Sequence, residues 1–181
     1  MYLLDSSAII TPFHRAQLRA LSVALGYNSL KYTQTWLEDW FRKGFSSRDL
    51  IISQEVYGEI VNEKKRHRPE YRLLKELRQS ESIKMLEPKD ATWKELANIH
   101  KFVTQNYEPH QAQKFLEKND PMLIALAKTY EVTLVAEERH FIPEVNGASS
   151  LIKGEPRLPY VAWVFGVRCI SLLTLLREVT F

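Results

Sequence analysis

Four acidic residues in this 181-residue chain have the type and placement to act together on a metal ion. Asp5 ends an apolar segment, Asp120 precedes a proline that opens another, and Glu138 follows the apolar run 132–136. Glu59 lies on the flank of an apolar helical face. Carboxylates that crowd together repel one another, so they require raised pKa values or a bound cation. Hard oxygen ligands of this kind select Mg²⁺ or Mn²⁺ rather than Zn²⁺.

Each acid also has a simpler interpretation. Asp5 and Asp120 are suited to cap helix N-termini, a role that contributes about 1 kcal/mol for each residue. Glu59 is equally compatible with a surface position, and Glu138 with an ion pair to Arg139 or a neighbouring Lys. The acids act together only if the fold gathers them.

Hydrophobic patterning predicts the elements that would position the acids. Short apolar segments, typical of strands buried on both faces, lie at Tyr2–Leu4, Leu50–Ser53, Ile83–Leu86, Val132–Ala136 and Val167–Ile170. Apolar residues at helical spacing predict helices at Tyr32–Lys43, Glu55–Lys65, Ala91–Asn106, Pro121–Tyr130 and Ser171–Glu178. This alternation predicts a three-layer α/β fold, with a central parallel sheet covered by helices on both faces. Ligands bind such sheets beyond the carboxyl ends of the strands.

The chain is expected to form one domain over residues 1–181. It carries a helical insert at about 13–48 and a loop insert at about 142–159 that is rich in Pro, Gly and Ser. Within the helical insert, Trp36 and Trp40 are spaced i, i+4, which favours a core stripe over a base-stacking platform.

Charge and composition narrow the function classes. The basic stretch, residues 64–78, contains seven Lys or Arg and two Glu, which suits either phosphate attraction or a solvated helix face.

No apolar run reaches the roughly 18 residues of a membrane span, and the first residues do not resemble a signal peptide. Cys169 has no second cysteine to pair with, so we expect a reduced, cytoplasmic protein. The five histidines lack zinc-ligand spacing.

Four motifs in order resemble those of the PIN-domain ribonucleases, and the resemblance spans nearly the whole chain. They are L-L-D-S-S-A-I-I at 3–10, I-I-S-Q-E-V-Y-G-E-I at 51–60, N-D-P-M-L-I-A-L-A-K at 119–128 and L-V-A-E-E-R-H-F at 134–141. Glu138 stands where the family usually has Asp, and Ala136 where Thr is common. The helical insert is similar to that of a PIN-like branch with Glu as the fourth acid.

The resemblance implies a metal-dependent endoribonuclease. Asp5, Glu59, Asp120 and Glu138 would hold one or two Mg²⁺ or Mn²⁺ ions, directly or through waters, and cleavage would leave a 5′-phosphate and a 3′-hydroxyl. Ser6 would either bond an Asp or a bound water, or simply begin the first helix. Many small relatives are toxins, which adds an antitoxin protein to RNA as an expected partner; a homodimer stays open.

Two other functions compete with this one. A phosphohydrolase with Asp5 as nucleophile usually needs a second Asp two residues later, where this chain has Ser7. A catalytically degenerate PIN-like module would bind RNA or a partner protein without cutting, and the altered fourth motif favours it.

Overall fold

The five predicted strands are all present in the computed structural model, which describes residues 1–138 and 151–179. They are β1 (Tyr2–Leu4), β2 (Leu50–Ser53), β3 (Met85–Leu86), β4 (Thr133–Val135) and β5 (Cys169–Ile170). All pair in parallel, in the order β3-β2-β1-β4-β5. The residues of β2 are buried throughout, and Leu3, Leu4, Leu134 and Val135 are fully buried, which explains why these strands lack polar alternation.

Helices connect the strands and cover the sheet. The described residues contain ten α-helices: α1 (Ser6–Ile10), α2 (Arg15–Ala24), α3 (Leu30–Ser46), α4 (Gln54–Ile60), α5 (Pro69–Gln79), α6 (Asp90–Asn106), α7 (Pro109–Leu116), α8 (Asp120–Thr129), α9 (Leu158–Val164) and α10 (Leu172–Glu178). Two short 3₁₀ helices lie at Thr11–Phe13 and Glu63–Lys65. The predicted α/β class with a parallel sheet is confirmed.

The strand order creates a switch point between β1 and β4. The chain moves outward from β1 to β2 and β3, then returns past β1 to β4 and β5. Leu4 lies opposite Val135, and the Asp5 amide donates to the Val135 carbonyl at 2.9 Å. The residues that follow β1 and β4 therefore leave the sheet side by side, at the place where open α/β sheets bind ligands.

Several predicted boundaries are wrong. The outer strands expected at Ile83–Leu86 and Val167–Ile170 begin only at Met85 and Cys169. The helix expected over Glu55–Lys65 ends at Ile60, because the Asn62 side chain accepts from the Lys64 amide and starts a separate 3₁₀ turn. The loop expected at 142–159 stops before Leu158, where α9 begins. Pro159 suits the first turn of a helix, where its missing N–H costs nothing. Residues 142–150 of that loop lie outside the described residues.

The helical insert consists mainly of α2 and α3. On α3, Leu37, Phe41 and Phe45 are fully buried, Trp40 is nearly so, and Trp36 is half-buried against the same core. The prediction of a core stripe is therefore confirmed. One hydrophobic cluster extends from Leu3 to Leu175. Among the described residues, no helix has the length and apolar character that crossing a membrane requires.

Candidate functional site

Asp5 leaves β1 as the N-cap of α1. Its Oδ2 accepts from the Ser7 amide at 3.1 Å and from the Ser7 hydroxyl at 2.5 Å. The Ser6 hydroxyl stands 3.5 Å from Oδ1. The capping interpretation is therefore correct for Asp5, but it occupies one oxygen and leaves Oδ1 with only a long contact.

Ser7 also ties the two central strands together at their carboxyl ends. While its hydroxyl donates to Asp5, its Oγ accepts from the Glu137 amide at 3.0 Å. This two-sided bond holds the segment after β4 against the segment after β1. Ser7 therefore positions both sides of the site, a role that the sequence analysis did not assign to it.

Glu138 and Glu137 point to different neighbours. Glu137 Oε1 accepts from the Leu172 amide at 2.6 Å, in the first turn of α10. Glu138 Oε2 accepts from the Leu158 amide at 3.3 Å, at the start of α9. Of these two glutamates, Glu138 is the one whose charge raises the pKa of Asp120. The alternative pairing with Arg139 concerns a residue outside the described ones.

Glu59 and Asp120 approach the same edge from two helices. Asp120 is the first residue of α8 and Asn119 occupies the N-cap position, so the capping interpretation is wrong for Asp120. Asn119, just before it, donates through Nδ2 to Glu59 Oε1, near the end of α4. This contact joins residues 60 positions apart in the chain. Glu59 itself is exposed.

The four acids, named here the acid cluster, act on one another most clearly at Asp120. Burial raises the pKa of the Asp120 carboxyl from 3.8 to about 7, and the charge of Asp5 contributes next. Glu138 and, more weakly, Glu59 raise this pKa further. The ammonium of Lys118 opposes them and lowers it. The fold therefore brings Asp5, Glu138 and Glu59 within electrostatic reach of Asp120, where their charges disfavour its ionised form.

A divalent cation fits this cluster in charge and donor type, but the side chains do not enclose one. Among the described residues, no three His, Cys, Asp or Glu side chains are grouped so that they could hold an ion directly. Mg²⁺ commonly keeps several waters and takes only one or two carboxylates directly. Cys169 lies close enough for Asp5 and Glu138 to affect it, yet burial and these charges raise its pKa to about 12.

Lys118 and Glu155 border the acid cluster on one side. Their side chains form an ion pair, and this hydrogen bond is the largest contribution that raises the pKa of Lys118. Asp120 and Glu138 raise the same pKa, so the ammonium of Lys118 also lies within electrostatic reach of the acid cluster. The charges of Arg157 and Lys114 also reach Glu155. Three cations therefore meet one acid at this border.

The basic stretch begins next to Glu59. Lys65 Nζ donates to the Glu59 carbonyl at 2.9 Å. Four further cations are exposed and form no ion pair with any described residue, namely Lys64, Arg66, Arg72 and Arg78. Both Arg72 and Lys75 line a cleft of about 850 Å³ between α5 and the helices α2 and α3. We call it the basic cleft, since Arg15, Lys31 and Arg42 also line it, against Glu38 and Glu76.

A family model described as a domain of unknown function, DUF4411, matches residues 2–181, so the chain belongs to that family. Neither a curated protein nor a solved structure gives a significant match.

Proposed function

We propose that this member of the DUF4411 family is a metal-dependent endoribonuclease that hydrolyses phosphodiester bonds of RNA in the reduced interior of the cell. The observation that carries the proposal is the convergence of three carboxylates on Asp120, whose pKa they raise together with burial. A fold retains such repulsion readily where a bound cation relieves it. The position at the switch point of the sheet and the resemblance to PIN-domain nucleases support the same proposal.

The chain's own groups have distinct tasks in this reaction. Asp5 is fixed by Ser7, Glu138 by the Leu158 amide and Glu59 by Asn119, so three of the four carboxylates have defined orientations. These groups and Asp120 would hold Mg²⁺ or Mn²⁺, in part through waters. Held there, such an ion would supply activation of a water and stabilisation of charge on the leaving oxygen. Lys118 stands at the border of the cluster as a phosphate-binding cation.

A cleavage assay tests the proposal most directly. We expect Mn²⁺-dependent cutting of a mixed RNA pool, and we expect Asp5→Asn and Asp120→Asn each to lower the rate on the order of a hundredfold or more. Asn caps helices as well as Asp does, so Asp5→Asn should preserve α1. The matched control is Glu117→Gln, because Glu117 lies three residues before Asp120 and binds Gln113 instead. Near-normal rates in both Asn variants would refute the site.

A second function has one specific observation in its favour. Because no described group of three donors encloses an ion, a PIN-like module that binds RNA or a partner protein without cutting is also supported. The two functions differ in one measurement. A binding module retains RNA in the presence of Mn²⁺ without shortening it, and Asp120→Asn leaves that binding intact or strengthens it by removing a negative charge. The toxin of a toxin–antitoxin pair is a further proposal, tested by growth arrest on expression of the wild type but not of Asp120→Asn.

A further inference from the structure

One ion pair joins the two segments that position the acid cluster. Lys118 Nζ donates to Glu155 Oε1, and these residues are 37 positions apart in the chain. Lys118 lies two residues before Asp120, between α7 and α8. Glu155 lies three residues before Leu158, whose amide binds Glu138. The pair therefore links the segment that carries Asp120 to the segment that anchors Glu138.

The ammonium of Lys118 is attracted by two sets of acids and pairs directly with one of them. Asp120 and Glu138 raise the pKa of Lys118 through their charges, whereas Glu155 raises it through a hydrogen bond as well. Among the described residues, Glu155 is the acid within ion-pair distance of this ammonium. The Lys118 side chain is 46% exposed, and a lysine carries its charge on a flexible stem. The charge of Glu155, rather than close packing, therefore retains the ammonium where it is.

Glu155 is suited to hold this cation permanently. The hydrogen bond from Lys118, followed by the charges of Lys118 and Arg157, keeps the pKa of Glu155 below its ordinary value. The carboxylate is therefore ionised at neutral pH, and its side chain is only 25% exposed, which limits competition from water.

The place of the ammonium has opposite consequences for a divalent cation. In contact with Asp120, it would neutralise part of the negative charge that attracts the ion and would repel the ion from that carboxylate. In contact with Glu155, it leaves the carboxylates of the acid cluster free as ligands and remains accessible to a phosphate group. The ion pair therefore sets how much negative charge the acid cluster presents.

We propose that Glu155 is a positioning residue that holds the Lys118 ammonium off the acid cluster and so keeps the cluster open to Mg²⁺ or Mn²⁺. Glu155 acts through Lys118 and does not bind the ion. This inference rests on the proposed nuclease function and adds how the charge of the same site is regulated. It gives a role to the segment before α9, which none of the four motifs includes.

Binding of Mn²⁺ to the metal-free full chain, measured by isothermal titration calorimetry without RNA, tests this role apart from cleavage. We expect Glu155→Gln to weaken Mn²⁺ binding about fivefold, because the released Lys118 then pairs with the acid cluster. Lys118→Met should instead tighten Mn²⁺ binding about threefold, since it removes the competing charge.

A double variant separates the release of Lys118 from the simple loss of a negative charge. In the Lys118→Met background, Glu155→Gln should have almost no further effect on Mn²⁺ affinity, because no ammonium is left to release. A long-range effect of the lost charge would weaken binding equally in both backgrounds.

The matched control is Glu95→Gln. Glu95 pairs with Lys128 at 2.9 Å, and the two side chains are 24% and 38% exposed, close to the values for Glu155 and Lys118. Lys128 lies in the last turn of α8, about 12 Å along the helix axis from Asp120. Glu95→Gln should therefore leave Mn²⁺ affinity unchanged, although it removes an equivalent ion pair.

Three outcomes would overturn the inference. Equal Mn²⁺ affinity of the wild type and Glu155→Gln, or an equal loss in both backgrounds, excludes the positioning role. Unchanged or weaker binding by Lys118→Met excludes it too, and decides the question even if Glu155→Gln does not fold. Absence of Mn²⁺ binding by the wild type removes both this inference and the nuclease proposal, whereas Mn²⁺ binding that is insensitive to Glu155 removes only the inference.

Discussion

The acid cluster and the basic stretch hold their charges in opposite ways. In the acid cluster, the carboxylates of Asp5, Glu59 and Glu138 act on Asp120, and the ammonium of Lys118 opposes them there. In the basic stretch, the cations are spread along an exposed surface and several have local partners. Lys75 Nζ lies 3.1 Å from the Tyr71 hydroxyl and 3.8 Å from Glu63, and the hydrogen bond to Tyr71 raises the pKa of Lys75.

This difference shows which kind of charge pattern indicates a ligand. Like charges gathered at a half-buried position destabilise the folded chain, so a cluster of this kind points to something that binds there. Charges dispersed in solvent cost little, and their presence alone is compatible with a simple surface. The basic stretch gains functional meaning from its location next to Glu59, not from its composition.

The largest expected contrast is that a charge-removing substitution changes the free energy of unfolding in opposite directions in the acid cluster and in the basic cleft. In EDTA at pH 7, Asp120→Asn should raise the free energy of unfolding by roughly 2 kcal/mol, because it removes a buried charge that its neighbours repel. Glu76→Gln in the basic cleft should lower it by up to about 1 kcal/mol, because Glu76 pairs with Arg42 at 2.9 Å. Chemical denaturation measures both. Destabilisation by Asp120→Asn would show that the acid cluster is not under repulsion.

Millimolar Mn²⁺ provides the companion measurement for the same two variants. The ion should raise the melting temperature of the wild type and of Glu76→Gln, since it binds the folded chain. The ion should raise the melting temperature of Asp120→Asn by a smaller amount.

The pH dependence of the free energy of unfolding should also report the repulsion in the acid cluster. The folded pKa of Asp120 is about 7 and its ordinary value is 3.8, so the folded chain holds this proton more tightly than the unfolded chain. The stabilisation is therefore fully present below about pH 4 and is lost as the pH rises through about 7. Metal-free wild type should lose stability relative to Asp120→Asn over that window. Parallel profiles of the two proteins from pH 4 to pH 8 would contradict the raised pKa.

A smaller effect is expected from the basic stretch. Changing Lys64, Arg66, Arg72 and Arg78 to Gln should leave the free energy of unfolding nearly unchanged, because these side chains are exposed and form no ion pair with described residues. It should weaken RNA binding similarly for all sequences and reduce the slope of log affinity against log salt by up to about 3. Titrations of Asp120→Asn carrying these changes, at several salt concentrations, avoid cleavage. An unchanged slope would return the stretch to a solvated surface.

The sequence predicted the sheet well because buried parallel strands are continuous apolar runs. It overestimated the length of the two outer strands. Ile83 and Val167 are apolar and buried, but they lie outside the two-residue pairings of β3 and β5. Apolar character reports burial, whereas strand assignment also needs a hydrogen-bonded neighbour.

The proximity of Asp5 and Glu138 could be predicted because the carboxyl ends of parallel strands meet at one edge, whereas Glu59 and Asp120 reach that edge from helices. The groups that orient the acids could not be predicted from the sequence. Ser6 and Ser7 are identical in type, and only the geometry of the first helical turn decides that Ser7 bonds both Asp5 and the Glu137 amide. The bond from Asn119 to Glu59 depends on how α4 and α8 pack, which no local pattern records.

The two-residue strands at the margins of the sheet have a consequence for association between chains. β3 and β5 each pair over two residues, so an incoming strand would find almost no ladder of free amides and carbonyls to extend. Short margins of this kind protect a protein against strand-by-strand aggregation. We therefore expect copies of this chain, even when crowded during synthesis, to meet through helical surfaces and to resist growth into fibrils.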